Sequence, residues 1–143
     1  PSRTEIVVEK ESRLDKKRIL VIEDNADILE IIRLFLANFS ENLLLTTTNR
    51  GQRGMEMVFK DKYDLLILDL IMPGLSGFDI LKRMEKLPAD RRLPTLILSG
   101  HSEAAKRAVA SGAQAYLLKP FTKEKFIARV LELLGLERRK RLR

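Results

Sequence analysis

Cysteine is absent from the 143 residues, which excludes disulfides and any thiolate nucleophile or ligand. Histidine occurs once, at His101. With no second imidazole and no thiol to join it, His101 is no zinc ligand and reads as a solvent-facing loop residue. Long apolar runs are missing too: none approaches the roughly 20 residues that cross a bilayer. The polar, charged N-terminus lacks the apolar segment of a secretory signal. A cytoplasmic protein without membrane contact is expected. Acidic residues are in deficit, 20 Asp and Glu against 27 Lys and Arg, a net charge of +7. The excess is local, however. Residues 1–17 carry five basic and four acidic side chains, residues 137–143 five basic and one acidic. A short basic run of that kind reads as a solvated helix end or a linker, so no direct nucleic-acid binding is expected.

What is present is a set of apolar runs that end in chemistry. Ile19-Leu20-Val21-Ile22 stops at Glu23-Asp24, Leu65-Leu66-Ile67-Leu68 at Asp69, Leu96-Ile97-Leu98 at Ser99, and Tyr116-Leu117-Leu118 at Lys119-Pro120. Between them lie helical periods. Ile28, Ile31, Ile32, Phe35, Leu36 and Phe39 mark one apolar face, with Asn25 or Asp24 as its cap. Leu43 to Thr47 reads as a further strand, Met55, Val58 and Phe59 as the next helix. Pro73-Gly74 and Gly77 punctuate a loop before a helix from about Phe78 to Lys86. An alanine-rich helix, Glu103 to Ser111, ends at Gly112. Thr122 caps a last helix with Phe126, Ile127, Val130, Leu131 and Leu134 on one face. Met55, Met57, Met72 and Met84 are core or loop fillers.

Five βα units with continuous apolar strands imply an α/β fold, a doubly wound five-stranded parallel sheet with helices on both faces. Right-handed crossovers put the ligand crevice at the carboxyl ends of the strands, where strand order reverses. In the order 2-1-3-4-5 that reversal lies between the strands ending at Glu23-Asp24 and at Asp69. A nucleotide does not suit this crevice. The first strand opens onto Glu-Asp-Asn-Ala-Asp, and neither GxGxxG nor GxxxxGK[ST] occurs. Carboxylates gathered so closely call for a compensating cation, and hard oxygen ligands favour Mg2+. A lysine beside them supplies the second positive charge when a phosphoryl group arrives.

Glu23-Asp24, Asp69, Ser99 and Lys119-Pro120, with Met72-Pro73-Gly74 after the central aspartate, closely resemble the receiver domain of two-component response regulators, a flavodoxin-like fold. From Asp24 the spacings are 45, 30 and 20 residues, and the resemblance covers about residues 18–136. It implies a charged extension at 1–17 and a basic tail or linker at 137–143. Glu5-Ile6-Val7-Val8 would be an added edge strand or a tether. The resemblance further implies that Asp69 is the phosphoacceptor, attacking a phosphohistidine on a histidine kinase or phosphotransfer protein. Asp24 and Asp69 would ligate Mg2+ directly, Glu23 mainly through water, with the backbone carbonyl of Ile71. Lys119 would pair with the phosphoryl oxygens, the Lys119–Pro120 bond being cis in this family. Ser99 would move toward the phosphoryl group and Tyr116 would turn inward with it, changing the surface of the fourth helix, fifth strand and fifth helix. A homodimer through that face is a further partner. Ile71 and His101 would line the path of the hydrolytic water. The protein would be a signalling receiver that catalyses its own phosphorylation and dephosphorylation, not an enzyme in the ordinary sense.

Single residues have plainer readings. Asp69 could be a turn residue, Ser99 a strand-end hydroxyl, Lys119 a surface charge and Tyr116 a half-buried core tyrosine. The alternative function is a phosphorylation-independent interaction module with the same fold. A complete acid cluster argues against it, because such a module would be expected to lack at least one of these residues.

Overall fold

Two interleaved apolar sets run through the strands, one for each face of a sheet. In the computed structural model, which describes residues 3–7, 16–39 and 42–141, the strands are β1 (Arg3–Val7), β2 (Lys17–Ile22), β3 (Leu43–Thr48), β4 (Leu65–Asp69), β5 (Thr95–Ser99), β6 (Ala115–Leu118) and β7 (Glu137–Arg141). The helices are α1 (Ala26–Leu36), α2 (Gly51–Lys60), α3 (Gly77–Met84), α4 (Ser102–Ala110) and α5 (Lys123–Leu134). Five strands form one sheet in the order β3-β2-β4-β5-β6, all parallel, with Ile19 opposite Leu65 and Leu66 opposite Thr95. Counted within that sheet this is the expected order 2-1-3-4-5.

Leu20, Ile22, Leu66 and Leu68 pack against Met55 and Val58 of α2, Ile80, Leu81 and Met84 of α3, and Ala104 and Ala108 of α4. Their neighbours Ile19, Val21, Leu65 and Ile67 pack against Leu29, Ile32 and Leu36 of α1 and against Phe126, Val130 and Leu131 of α5. Both faces are therefore covered. That is why the central strands read as continuous apolar runs and why Ile19–Ile22 and Leu65–Leu68 are wholly buried.

Caps set where the helices begin. The Asn25 side chain accepts from the N–H groups of Asp27 and Ile28, and Thr122 accepts from Lys125. Ser76 and Asp79 form a capping box, so α3 starts at Gly77, one residue before the expected Phe78. It stops at Met84, short of the expected Lys86, where the Arg92 guanidinium takes the carbonyls of Glu85 and Leu87. Helix α5 ends at Gly135 in the left-handed conformation, φ 71°, where a residue without Cβ is favoured.

Residues 3–7 do not join the edge of the five-stranded sheet. They pair antiparallel with residues 137–141, the segment read from sequence as a basic tail or linker, from Arg3 opposite Arg141 to Val7 opposite Glu137. Val8 and Leu142-Arg143, also singled out from sequence, lie outside the described residues. Among the described residues no helix is long and apolar enough to cross a membrane.

Candidate functional site

Parallel pairing brings the strand ends to one edge. Ile22, the last residue of β2, lies opposite Leu68, so Glu23 follows beside Asp69. Across the next pair Ser99 lies opposite Leu118, so Lys119 follows beside Ser99. Backbone hydrogen bonds extend the edge past the strands, Glu23 N–H to the Thr48 carbonyl (3.1 Å) and Lys119 N–H to the Ser99 carbonyl (2.8 Å).

Four charged side chains meet there. A carboxylate oxygen from each of Glu23, Asp24 and Asp69 lies within 4.8 Å of the others, with Glu23 and Asp69 buried and Asp24 exposed. The Lys119 ammonium reaches over them, 2.6 Å from Glu23 Oε1 and 3.3 Å from Asp69 Oδ1. Glu23 Oε1 is nevertheless a buried oxygen without a hydrogen-bond partner. The ammonium is close to it but outside hydrogen-bonding geometry, so the contact is ionic. Glu23 Oε2 accepts from Asn25 N–H at 3.3 Å, and Asp69 Oδ1 from Ile71 N–H at 3.4 Å.

The electrostatics follow from this packing. Burial first, then the neighbouring Glu23 carboxylate, push the Asp69 carboxyl up to about 6, against the pull of Lys119. For Lys119, burial favours the neutral form, but Glu23 and Asp69 outweigh it and raise its pKa. Three clustered carboxylates with one ammonium are under-compensated. The donor set fits a hard divalent cation held by oxygen ligands.

Asp69 is fixed from behind by the chain itself. Gly77 N–H donates to the Leu70 carbonyl at 2.9 Å. A Cβ at position 77 would collide with the Asp69 carbonyl oxygen and lie 2.8 Å from Leu70 Cα. Only glycine allows the start of α3 to approach the acid-bearing strand end this closely. The sequence marked Gly77 merely as loop punctuation, since its role depends on a contact across the fold.

The other residues singled out are placed differently. Ser99 is buried, but its hydroxyl accepts from His101 N–H at 3.0 Å and donates to the His101 carbonyl at 3.2 Å. It is occupied by its own turn. His101 is exposed and its side chain makes no cap hydrogen bond to α4. The Ile71 side chain is 59% exposed, beside the acid cluster and open to solvent. Tyr116 is partly buried and packs against the core under α4. It also lines a groove of about 640 Å³ with Val109, Leu118, Phe121, Lys125 and Arg129. The Lys119–Pro120 peptide bond is cis. Phe121, which the sequence reading did not single out, stacks on Phe126 just beyond it.

The family model described as response regulator receiver domain matches residues 19–131. The cell cycle transcriptional regulator CtrA of Caulobacter vibrioides (strain NA1000 / CB15N) is 38% identical over 115 residues, 79% of this chain and 48% of CtrA. The chain thus spans about half the length of the curated relatives it matches. A solved structure of a putative response regulator from Chloroflexus aurantiacus J-10-fl superposes with a TM-score of 0.76 at 27% identity, covering 84% of this chain and 98% of that one. The receiver domain of sensor histidine kinase PA1611 from Pseudomonas aeruginosa PAO1, with a magnesium ion coordinated in its active site cleft, superposes at 0.74 with 22% identity, over 84% of this chain and 98% of its own. At that identity the likeness is one of fold.

Proposed function

Because this chain belongs to the response regulator receiver domain family of two-component systems, we propose that it is a switch operated by phosphorylation of Asp69. The observation that carries this reading is the Lys119 ammonium lying against both Glu23 and Asp69 in a cluster of three carboxylates. An Asp69 oxygen attacks the phosphorus of a phosphohistidine on a histidine kinase or phosphotransfer protein. An O–P bond forms, the N–P bond breaks, and its electron pair returns to the imidazole nitrogen. The product is an acyl phosphate. Asp24, Asp69 and the Ile71 carbonyl would hold Mg2+ directly and Glu23 mainly through water, and the ion would neutralise charge on the phosphoryl oxygens. Lys119, ionised at neutral pH, moves its attraction from the carboxylates to the phosphoryl oxygens as charge builds there.

Output follows from the hydroxyl. Ser99 exchanges its bonds with the His101 backbone for one to the phosphoryl group, and Tyr116 turns into the space this opens. The groove between α4, β6 and α5 changes shape, and this face is where a second copy or a downstream partner docks. Its apolar lining, with Leu118 40% exposed, supports that use.

Intact mass after incubation with Mg2+ and acetyl phosphate tests the proposal. The domain gains the mass of one phosphoryl group, and Asp69→Asn gains none. Equal labelling of the two proteins rejects Asp69 as the acceptor.

A further inference from the structure

Lys119 opens the four-residue connection Lys119–Thr122 between β6 and α5. Its ammonium has to reach the acid cluster from a segment with little to hold it. Lys119 N–H is tied to the Ser99 carbonyl and Thr122 caps α5. Between those points Pro120 is exposed, and Phe121 is the residue that turns inward. The Phe121 ring stacks on Phe126, with centroids 5.4 Å apart and planes at 22°. It meets Phe35 edge-on at 6.2 Å and 73°. Phe35 and Phe126 touch each other at 5.8 Å, closing a triangle of rings from α1, the connection and α5. Phe126 is wholly buried, so the triangle is anchored in the core on the α1–α5 side of the sheet.

Offset-stacked and edge-to-face pairs are the orientations aromatic quadrupoles favour, and they fix a ring in angle as well as depth. Phosphoryl transfer depends on placed charge, and a displacement near 1 Å of such a group costs up to about a hundredfold in rate.

We propose that Phe121 is a positioning residue for Lys119: its ring, held between Phe35 and Phe126, fixes the connection so that the ammonium stands over Asp69. This rests on the reading of Asp69 as phosphoacceptor and adds to it the device that places its cationic partner. Phe121 touches neither metal nor phosphoryl group and acts only through the lysine. The carboxylates belong to other segments, after β2 and at the end of β4, so their hold on a cation does not depend on this connection.

The test follows phosphorylation by acetyl phosphate, in which an Asp69 oxygen takes the phosphoryl group and acetate leaves. Rates are measured at saturating donor and Mg2+ for wild type, Phe121→Leu, Phe121→Tyr, Lys119→Ala and the double variant Lys119→Ala with Phe121→Leu. Phe121→Leu keeps the apolar bulk and lowers the rate constant roughly tenfold, while the Mg2+ Kd stays within about twofold. Phe121→Tyr, which keeps the ring, restores the rate. In the Lys119→Ala background the leucine has no further effect, since residues acting through one group are not additive.

Three results overturn the proposal: an unchanged rate in Phe121→Leu, the same proportional loss with and without Lys119, or a Mg2+ affinity that falls as far as the rate. If Phe121→Leu does not fold, Phe35→Leu is scored by the same criteria from the α1 side of the triangle. A wild-type protein that takes no label rejects the phosphoacceptor reading instead, so the two failures are distinct.

Discussion

Asp69 is an acid held where ionisation is unfavourable: burial and the Glu23 carboxylate raise its pKa to about 6. A carboxyl with a raised folded pKa stabilises the fold fully below the unfolded carboxylate pKa. That contribution is lost as the pH rises through about 6. Lys119, raised by its acidic neighbours, contributes throughout this window and loses its contribution only in the alkaline range. In metal-free buffer the melting temperature of wild type should therefore fall relative to Asp69→Asn between about pH 4 and 7. The corresponding free-energy gap at pH 7 should be on the order of 2–3 kcal/mol, the pull of Lys119 being already contained in the value of about 6. A difference that does not vary with pH would mean that Asp69 is not strained by its surroundings. At this scale the acids and the lysine were legible in the sequence, because a parallel sheet puts every strand end on one edge. The direction of the Ser99 hydroxyl was not: position along a strand says where a side chain starts, and the turn at His101 decides where it points.

Secondary structure was readable because the periods were clean. The runs at Ile19–Ile22, Leu65–Leu68 and Leu96–Leu98 became strands buried on both faces, and the 3.6-residue patterns became α1 and α5. Helix ends moved by one or two residues where local capping chemistry outranked the apolar pattern. The Ser76–Asp79 box was passed over in the sequence, where only the loop glycines were marked, and the Arg92 contacts with the Glu85 and Leu87 carbonyls come from a residue beyond the helix. The packing of α3 on β4 was not readable, because it is set by what Gly77 lacks. At the start of a helix, Gly→Ala ordinarily stabilises by lowering the entropy of the unfolded chain. Here the added methyl meets the Asp69 carbonyl and backbone must shift. Gly77→Ala should therefore destabilise, by about 1–3 kcal/mol in urea denaturation, and should slow phosphorylation. A neutral or stabilising result would show that strand end and helix can separate without cost.

The whole molecule carries a net charge of +7, yet three acidic side chains, Glu23, Asp24 and Asp69, gather at one edge of the sheet. A cation bound there stabilises by mass action, because the unfolded chain offers no such cluster. Saturating Mg2+ should raise the melting temperature of wild type. Asp24→Ala should lose that rise while its metal-free form is at least as stable as wild type, one of the repelling charges being gone. A magnesium response that survives Asp24→Ala would move the metal elsewhere. The pairing of residues 3–7 with residues 137–141 is the feature of this scale least available from sequence, since contact between distant segments leaves no local period in either one. The doubly wound sheet, by contrast, followed from alternation of strands and helices alone. The central claim is that one carboxylate in this edge cluster, Asp69, receives the phosphoryl group. Acyl phosphates are reduced by borohydride to the alcohol, which converts a phosphorylated aspartate to homoserine. Peptide mass spectrometry after labelling with acetyl phosphate, Mg2+ and borohydride should find homoserine at position 69 alone. Homoserine at Asp24 or any other aspartate, with position 69 unchanged, would contradict the account.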